Sequence, residues 1–309
     1  MTGLALFLLL LAGAYVVAVL EGWASTGRLR PAGPLLAGAA LLGRESVVPR
    51  STDRLLYESA PPLLLIVAVL SAAVLPVAPG IVGVQLATGA LFVNAAWVYV
   101  MVALLMAGWG PNGVYAMIGG FRFLGQLVGY SMLIVMPVTA VAMRAESLLT
   151  TDVVESQAGL WNVLAQPLGF VLYFLAALAV CFLPPFDLPV ADELAGGVMA
   201  EYTGVRLAVL RLGRLVLVLT LALSVVVFFL GGWLGPVLPP WAWSSLKTLV
   251  VAAGMLAVGR FVPRLHEAQV LGWAWKLGIP LALVNILWVG VTLLLAGGSA
   301  PGGNGMEMP

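Results

Sequence analysis

Apolar runs long enough to cross a membrane recur along nearly the whole chain, parted by short polar or Gly/Pro-rich stretches. A helix needs about 20 predominantly apolar residues to cross a hydrocarbon core of about 30 Å. The runs predict eight transmembrane helices, near 3–20, 60–78, 83–107, 122–143, 160–183, 208–230, 245–260 and 272–296. Pro61, Pro62, Pro76 and Pro79 bracket the second, and Pro111 and Gly113 mark the turn before the fourth. The stretch from Gly80 to Trp109 is long for one crossing and is expected to tilt or break. The predicted fold is an all-α polytopic membrane protein, with one helical domain over 1–296 and a Gly-rich disordered tail over 297–309. Met1 to Leu20 has no Lys or Arg ahead of its apolar run, so a retained first helix is expected rather than a cleaved leader.

Charge orients these helices. Arg28, Arg30, Arg44, Arg50 and Arg54 follow the first, Arg206, Arg211 and Arg214 follow the fifth, and Arg260 and Arg264 follow the seventh. The links after the second and sixth hold no Lys or Arg, and the link after the fourth has only Arg144 among Glu146, Asp152 and Glu155. By the positive-inside rule the odd-numbered connections are cytoplasmic and both termini lie outside, in the cell's plasma membrane.

Composition agrees. Of 309 residues, 62% are hydrophobic and 9% charged, and mean hydropathy is +1.10, against roughly a quarter charged in soluble domains. A net charge of +1 supplies no basic stripe for nucleic acid. One cysteine, Cys181, cannot form an internal disulfide or hold an iron–sulfur cluster, and one histidine, His266, cannot ligate a haem from both sides. No metal site and no covalently bound cofactor are expected. The tryptophans near span ends, among them Trp23, Trp109, Trp233, Trp241 and Trp243, read as an interfacial belt.

Two inner connections are long. Residues 21–59 include an apolar piece, Pro34 to Leu42, too short to span and suited to the membrane surface or a cavity wall. Residues 184–207 set Asp187, Asp192, Glu193 and Glu201 among small and apolar residues beside a span. A solvated surface loop is the ordinary reading of such a segment; carboxylates in a partly dry setting can instead carry protons near neutral pH.

That second connection resembles the acidic loop of the subunit 1 family of respiratory complex I, the NADH-quinone oxidoreductase. The resemblance rests on Pro185-Phe186-Asp187-Leu188-Pro189, Glu193-Leu194 and Glu201-Tyr202-Thr203-Gly204, preceded by Gln166-Pro167-Leu168-Gly169-Phe170. Arg44-Glu45, Asp53-Arg54, the spacing of Arg122, Gln126 and Tyr130, Leu246-Lys247, Pro263-Arg264, Gln269 and Pro280 to Asn285 extend it over most of the chain. It implies a membrane subunit without a redox centre of its own, which forms part of a quinone cavity and joins a soluble redox arm to a proton-translocating membrane arm. The implied partners are other membrane subunits, soluble iron–sulfur subunits, quinone and the lipid bilayer. The cavity and coupling residues it implies are Asp187, Glu193, Glu201, Tyr202, Arg206, Arg54 and Arg122. A homologous subunit serves energy-converting hydrogenases, and the sequence is compatible with that branch too. The chain departs from the family where Ser131 follows Tyr130 in place of Glu, and where Val180-Cys181-Phe182-Leu183 replaces a polar stretch. These changes remove membrane-facing acids, so a diverged scaffold without proton coupling is a third reading.

Overall fold

Each expected apolar run contains a helix, though the third starts only at Gly89 and the fifth is broken at Gln166. The structure, a computed structural model, describes residues 2–297, so the expected tail lies outside it apart from Gly297. The helices are α1 Thr2–Thr26, α2 Ala32–Leu42, α3 Arg54–Val74, α4 Gly89–Trp109, α5 Val114–Ala145, α6 Thr150–Glu155, α7 Asn162–Ala165, α8 Pro167–Val180, α9 Gly204–Phe229, α10 Pro240–Phe261, α11 Glu267–Trp273 and α12 Ile279–Gly297. A π-helical turn, Ala274–Gly278, joins the last two into one continuous span.

Seven of these spans are long and apolar enough to cross a membrane. The eighth crossing is the broken pair α7–α8. At 14 residues α8 is about 21 Å long, short of the hydrocarbon core, yet its two flanks touch opposite faces of the bundle. At one end Asn162 donates from Nδ2 to Phe228 O, 2.7 Å. At the other, Pro185 O accepts from Leu265 N–H, 3.2 Å.

The connections sort by face in the same way. On the basic face, Asp53 N–H meets Gly110 O (2.9 Å), Val47 N–H meets Thr203 Oγ1 (2.9 Å), and Arg260 donates to Ala24 O (2.6 Å) and Trp23 O (2.7 Å). On the opposite face, Ala90 N–H meets Leu148 O (3.0 Å) and Gly231 N–H meets Gln157 Oε1 (3.0 Å). There Lys247 donates from Nζ to Leu230 O, Gly232 O and Leu234 O. In these bonds odd-numbered connections meet the ends of odd-numbered links, and even-numbered ones meet even, as eight crossings require.

α9 is the hub. Every residue from Val216 to Phe229 is buried, as expected of a helix apolar on all sides, and α1, α3 and α10 pack around it. α4, α8 and α12 pack around α5. α4 and α5 leave a common turn and end level at Ala90 and Leu148. Their lengths of about 32 and 48 Å therefore force α5 to run obliquely, with Pro137 inside it. The outermost helices show lipid-compatible faces, Phe7, Leu8 and Leu11 on α1 and Leu287, Trp288 and Leu294 on α12.

The break before α8 is closed from another helix. Pro167 opens α8, so the chain at Gln166 leaves helical geometry (φ −140°, ψ 67°). Asn285 of α12, 1% exposed, accepts from Gly169 N–H at 3.0 Å and donates to Gln166 Oε1 at 3.0 Å. Position 169 must be glycine, because a Cβ there would lie 2.8 Å from Asn285 Nδ2. Backbone groups at membrane depth must be satisfied by protein: Gln166 bonds through its own N–H to Asn162 O and through its carbonyl to Phe170 N–H, and Asn285 takes the Gly169 N–H that the start of α8 leaves without a partner in its own helix.

Candidate functional site

The connection between α8 and α9 folds as three short 3-10 turns, Leu188–Val190, Asp192–Leu194 and Gly197–Met199, laid against the first turns of α5. Close approach fixes it there. A Cβ at Gly119 would fall 2.5 Å from Pro189 O, and Gly197, at φ +54°, presses on the same carbonyl. Gln126 of α5, buried, donates from Nε2 to Phe186 O (3.0 Å) and Ala179 O (3.3 Å). One α5 face therefore sets the depth of the whole acidic segment.

The far end of the segment meets α3 and α9. Tyr57 and Tyr202 stack with centroids 4.5 Å apart and planes 11° from parallel. Tyr57 Oη donates to Glu201 O (3.0 Å) and Tyr202 Oη to Tyr57 O (3.3 Å). Burial, with Tyr57 and Glu58 beside it, raises the Tyr202 phenol well above the usual tyrosine range, so it stays protonated and acts as a donor. Arg206, in the first turn of α9, holds Glu58 bidentately, Nε–Oε2 2.8 Å and Nη2–Oε1 2.6 Å, and lies 5.4 Å from the Tyr57 ring centroid. Glu58 is about half exposed, so the pair adds at most about 1 kcal/mol to stability; its effect is to fix a guanidinium. Two of the five N–H donors are engaged with Glu58, which leaves three for an incoming acceptor. Arg54, exposed at the start of α3, is four residues from Glu58. The Glu201 carboxylate rests against the backbone at Gly113, where a Cβ would be 2.7 Å from Oε1.

The near end meets α5 and α11. Glu193 pairs with Arg122 at 2.5 Å, and buried Asp187 pairs with Arg264 at 3.1 Å. A cavity of ≈ 470 Å³ opens here, lined by Arg122, Leu188, Glu193, His266, Glu267, Ala268 and Leu271.

A family model described as NADH dehydrogenase matches residues 22–290. The chain belongs to that family, the one of complex I subunit 1. It is accordingly a multi-pass membrane subunit of a complex I-like, multisubunit assembly.

The NADH dehydrogenase motifs fall into two groups in space. Glu201, Tyr202, Arg206 and Arg54 gather where α3 meets α9, and Arg122 and Glu193 gather where α5 meets α11. Asp187, also at the near end, is held on Arg264. Sequence reasoning missed Tyr57, Glu58 and Glu267. Glu58 is legible as Arg54 plus four on one helix face, and its location in the first turns of an apolar helix is itself a signal. The stacking of Tyr57 on Tyr202 has no sequence signal. A deeper pair has none either: Arg214 of α9 lies 3.3 Å from Glu21 of α1 and 5.1 Å from the Phe182 ring centroid.

Proposed function

We propose that this NADH dehydrogenase family chain is the quinone-proximal membrane subunit of a complex I-like NADH-quinone oxidoreductase in the plasma membrane. Its basic face forms the membrane side of a quinone cavity that soluble iron–sulfur subunits complete, and it joins that arm to proton-translocating membrane subunits. The observation that carries the reading is the donor-rich cluster at α3 and α9. Quinone carbonyls only accept hydrogen bonds, and Arg206, held rigid by Glu58 and Tyr57, keeps unused N–H donors at the edge of the bundle. A fixed cation there stabilises the negative charge that builds on a quinone oxygen during reduction. The chain holds and orients the head group; electrons come from the soluble arm, and the chain carries no redox centre.

Turnover of the intact complex tests this. Arg206→Gln and Glu201→Gln should each lower quinone-dependent turnover at least tenfold, a barrier change of about 1.4 kcal/mol, while the complex still assembles. Glu155→Gln, on the opposite face, is the control. Normal turnover in both variants would reduce the segment to a docking surface.

One observation favours a second reading, a scaffold that moves no protons through itself. Among the described residues every Asp and Glu lies in a connection or within the outer turns of a helix. The centre of the bundle, around Phe123, Tyr130, Tyr173, Leu178 and Phe182, is buried without a carboxylate. Proton transfer in this assembly then runs through neighbouring subunits. Proton uptake by vesicles holding the whole complex, unaltered by Tyr130→Phe, is the expected result.

A further inference from the structure

Away from the basic face, a cavity of ≈ 170 Å³ opens between α1, α9 and α10. Its walls are Leu6, Leu10 and Gly13 of α1, Leu219 and Leu223 of α9, and Leu249 of α10. The hydroxyls beside them are spent or hidden. Ser245 donates to Trp241 O and Thr248 to Ser244 O, all within α10, and Ser244 is fully buried. A water needs several polar partners and a quinone head group needs donors, so neither suits this cavity.

Its depth follows from the helices. The lining stretch of α1, residues 6–16, is the half remote from Trp23 and Ala24, whose carbonyls Arg260 holds on the basic face. On α10 the wall starts one turn in from Trp241, a half-exposed tryptophan of the kind that marks the membrane boundary, and ends at Leu249, about 12 Å below it. That is the layer of acyl chains. The cavity opens on lipid, since Ala12 in its wall is exposed and Phe7, Leu8 and Leu11 continue the lipid-compatible face of α1.

We propose that the cavity holds one acyl chain of a phospholipid from the leaflet opposite the basic face. Size selects the occupant. An apolar cavity of about 150 Å³ takes one benzene ring, so this one takes about six carbons of a chain, whereas a helix of a neighbouring subunit, about 10 Å across, does not enter. The driving force is packing: lipid tails are as apolar as leucine, so entry brings no hydrophobic gain, but wall atoms that face a void forfeit their dispersion contacts. The cavity does not close by α1 sinking further, because α1 already touches α9 there; a Cβ at Gly13 would lie 2.6 Å from Leu219 Cδ2. The chain is then part of the packing that joins α1 to α10, on the other side of the membrane from the quinone site.

The test is photocrosslinking of the intact complex in phosphatidylcholine vesicles that contain a trace of phosphatidylcholine with a diazirine at about the sixth carbon of one chain. Illumination should leave adducts on residues 6–16 of α1 and 244–249 of α10. Ala12→Phe, whose ring fills the cavity, should remove them while adducts on the exposed face of α12 persist. Val16→Phe fills the same cavity from its other end and should act alike, and Leu8→Phe, on the lipid face outside the cavity, should leave both sets unchanged. Co-purification of the other membrane subunits shows that each variant has folded. Cavity adducts equal in wild type and both filling variants overturn the proposal, since the label then reads surface lipid alone. Their absence from the wild type also overturns it, with a neighbouring subunit over the mouth. Cavity adducts abolished by excess long-tailed quinone overturn it in favour of a quinone tail.

Discussion

Asn285→Ala strikes at the one crossing that a continuous helix does not make. It removes the acceptor of Gly169 N–H and the donor to Gln166 Oε1, both 3.0 Å bonds between buried groups. Leaving a buried polar group unsatisfied costs about 1–3 kcal/mol, so losing both partners should destabilise the bundle by about 2–6 kcal/mol. Lipid offers the freed groups no partner, which argues for the upper half of that range. The assay is reversible unfolding in mixed micelles, followed by tryptophan fluorescence, with exchange of the Gly169 amide as the local probe. Thr292→Val is the control in the same helix, since Thr292 bonds only to Val289 O within its own turn and should shift stability by less than about 0.5 kcal/mol. Asn285→Ala within about 0.5 kcal/mol of wild type, with Gly169 still protected, would refute the account of the broken crossing.

Other expectations follow from the same packing. Gly119→Val drives two methyls into Pro189 O, 2.5 Å from where a Cβ would lie, and should dislodge the acidic segment, seen as rapid proteolysis near Gly196 with the helices intact. Cysteines at Arg50 and Arg264 should be labelled from the cytoplasm alone and one at Val237 from outside alone; labelling of all three from one side would contradict eight crossings. Native Cys181 is buried and gives no background.

Much of this architecture was legible because lipid leaves few solutions: uninterrupted apolar runs must be helices, and asymmetric arginines order the connections. The break at Gln166 was hidden because Asn162 to Leu183 is as apolar as its neighbours. The partner that permits the break, Asn285, lies 119 residues away. Gln166-Pro167-Leu168-Gly169 and Asn285 both belong to the family resemblance, and their contact supplies the physical reason for each. The helix expected from residue 83 starts only at Gly89, since Val84 N–H bonds to Ala73 O and Gly83 packs on that same backbone. In the candidate site the acids and the arginines were legible as residues, but their pairing was not. Arg206 holds Glu58, because the first turns of α3 and α9 lie side by side. Glu267 was unreadable as a site residue, since its neighbour across the cavity, Arg122, comes from a helix far away in sequence.

The most direct test of the central claim is photolabelling of the intact complex with an azido-quinone, followed by mapping of the modified peptides. The account predicts adducts on this chain within 53–58 and 201–206, around Tyr57, Tyr202 and Arg206, abolished by excess unlabelled quinone and weakened by Arg206→Gln. Competable adducts confined to other subunits, or on this chain only at its lipid-facing helices α1 and α12, would contradict it.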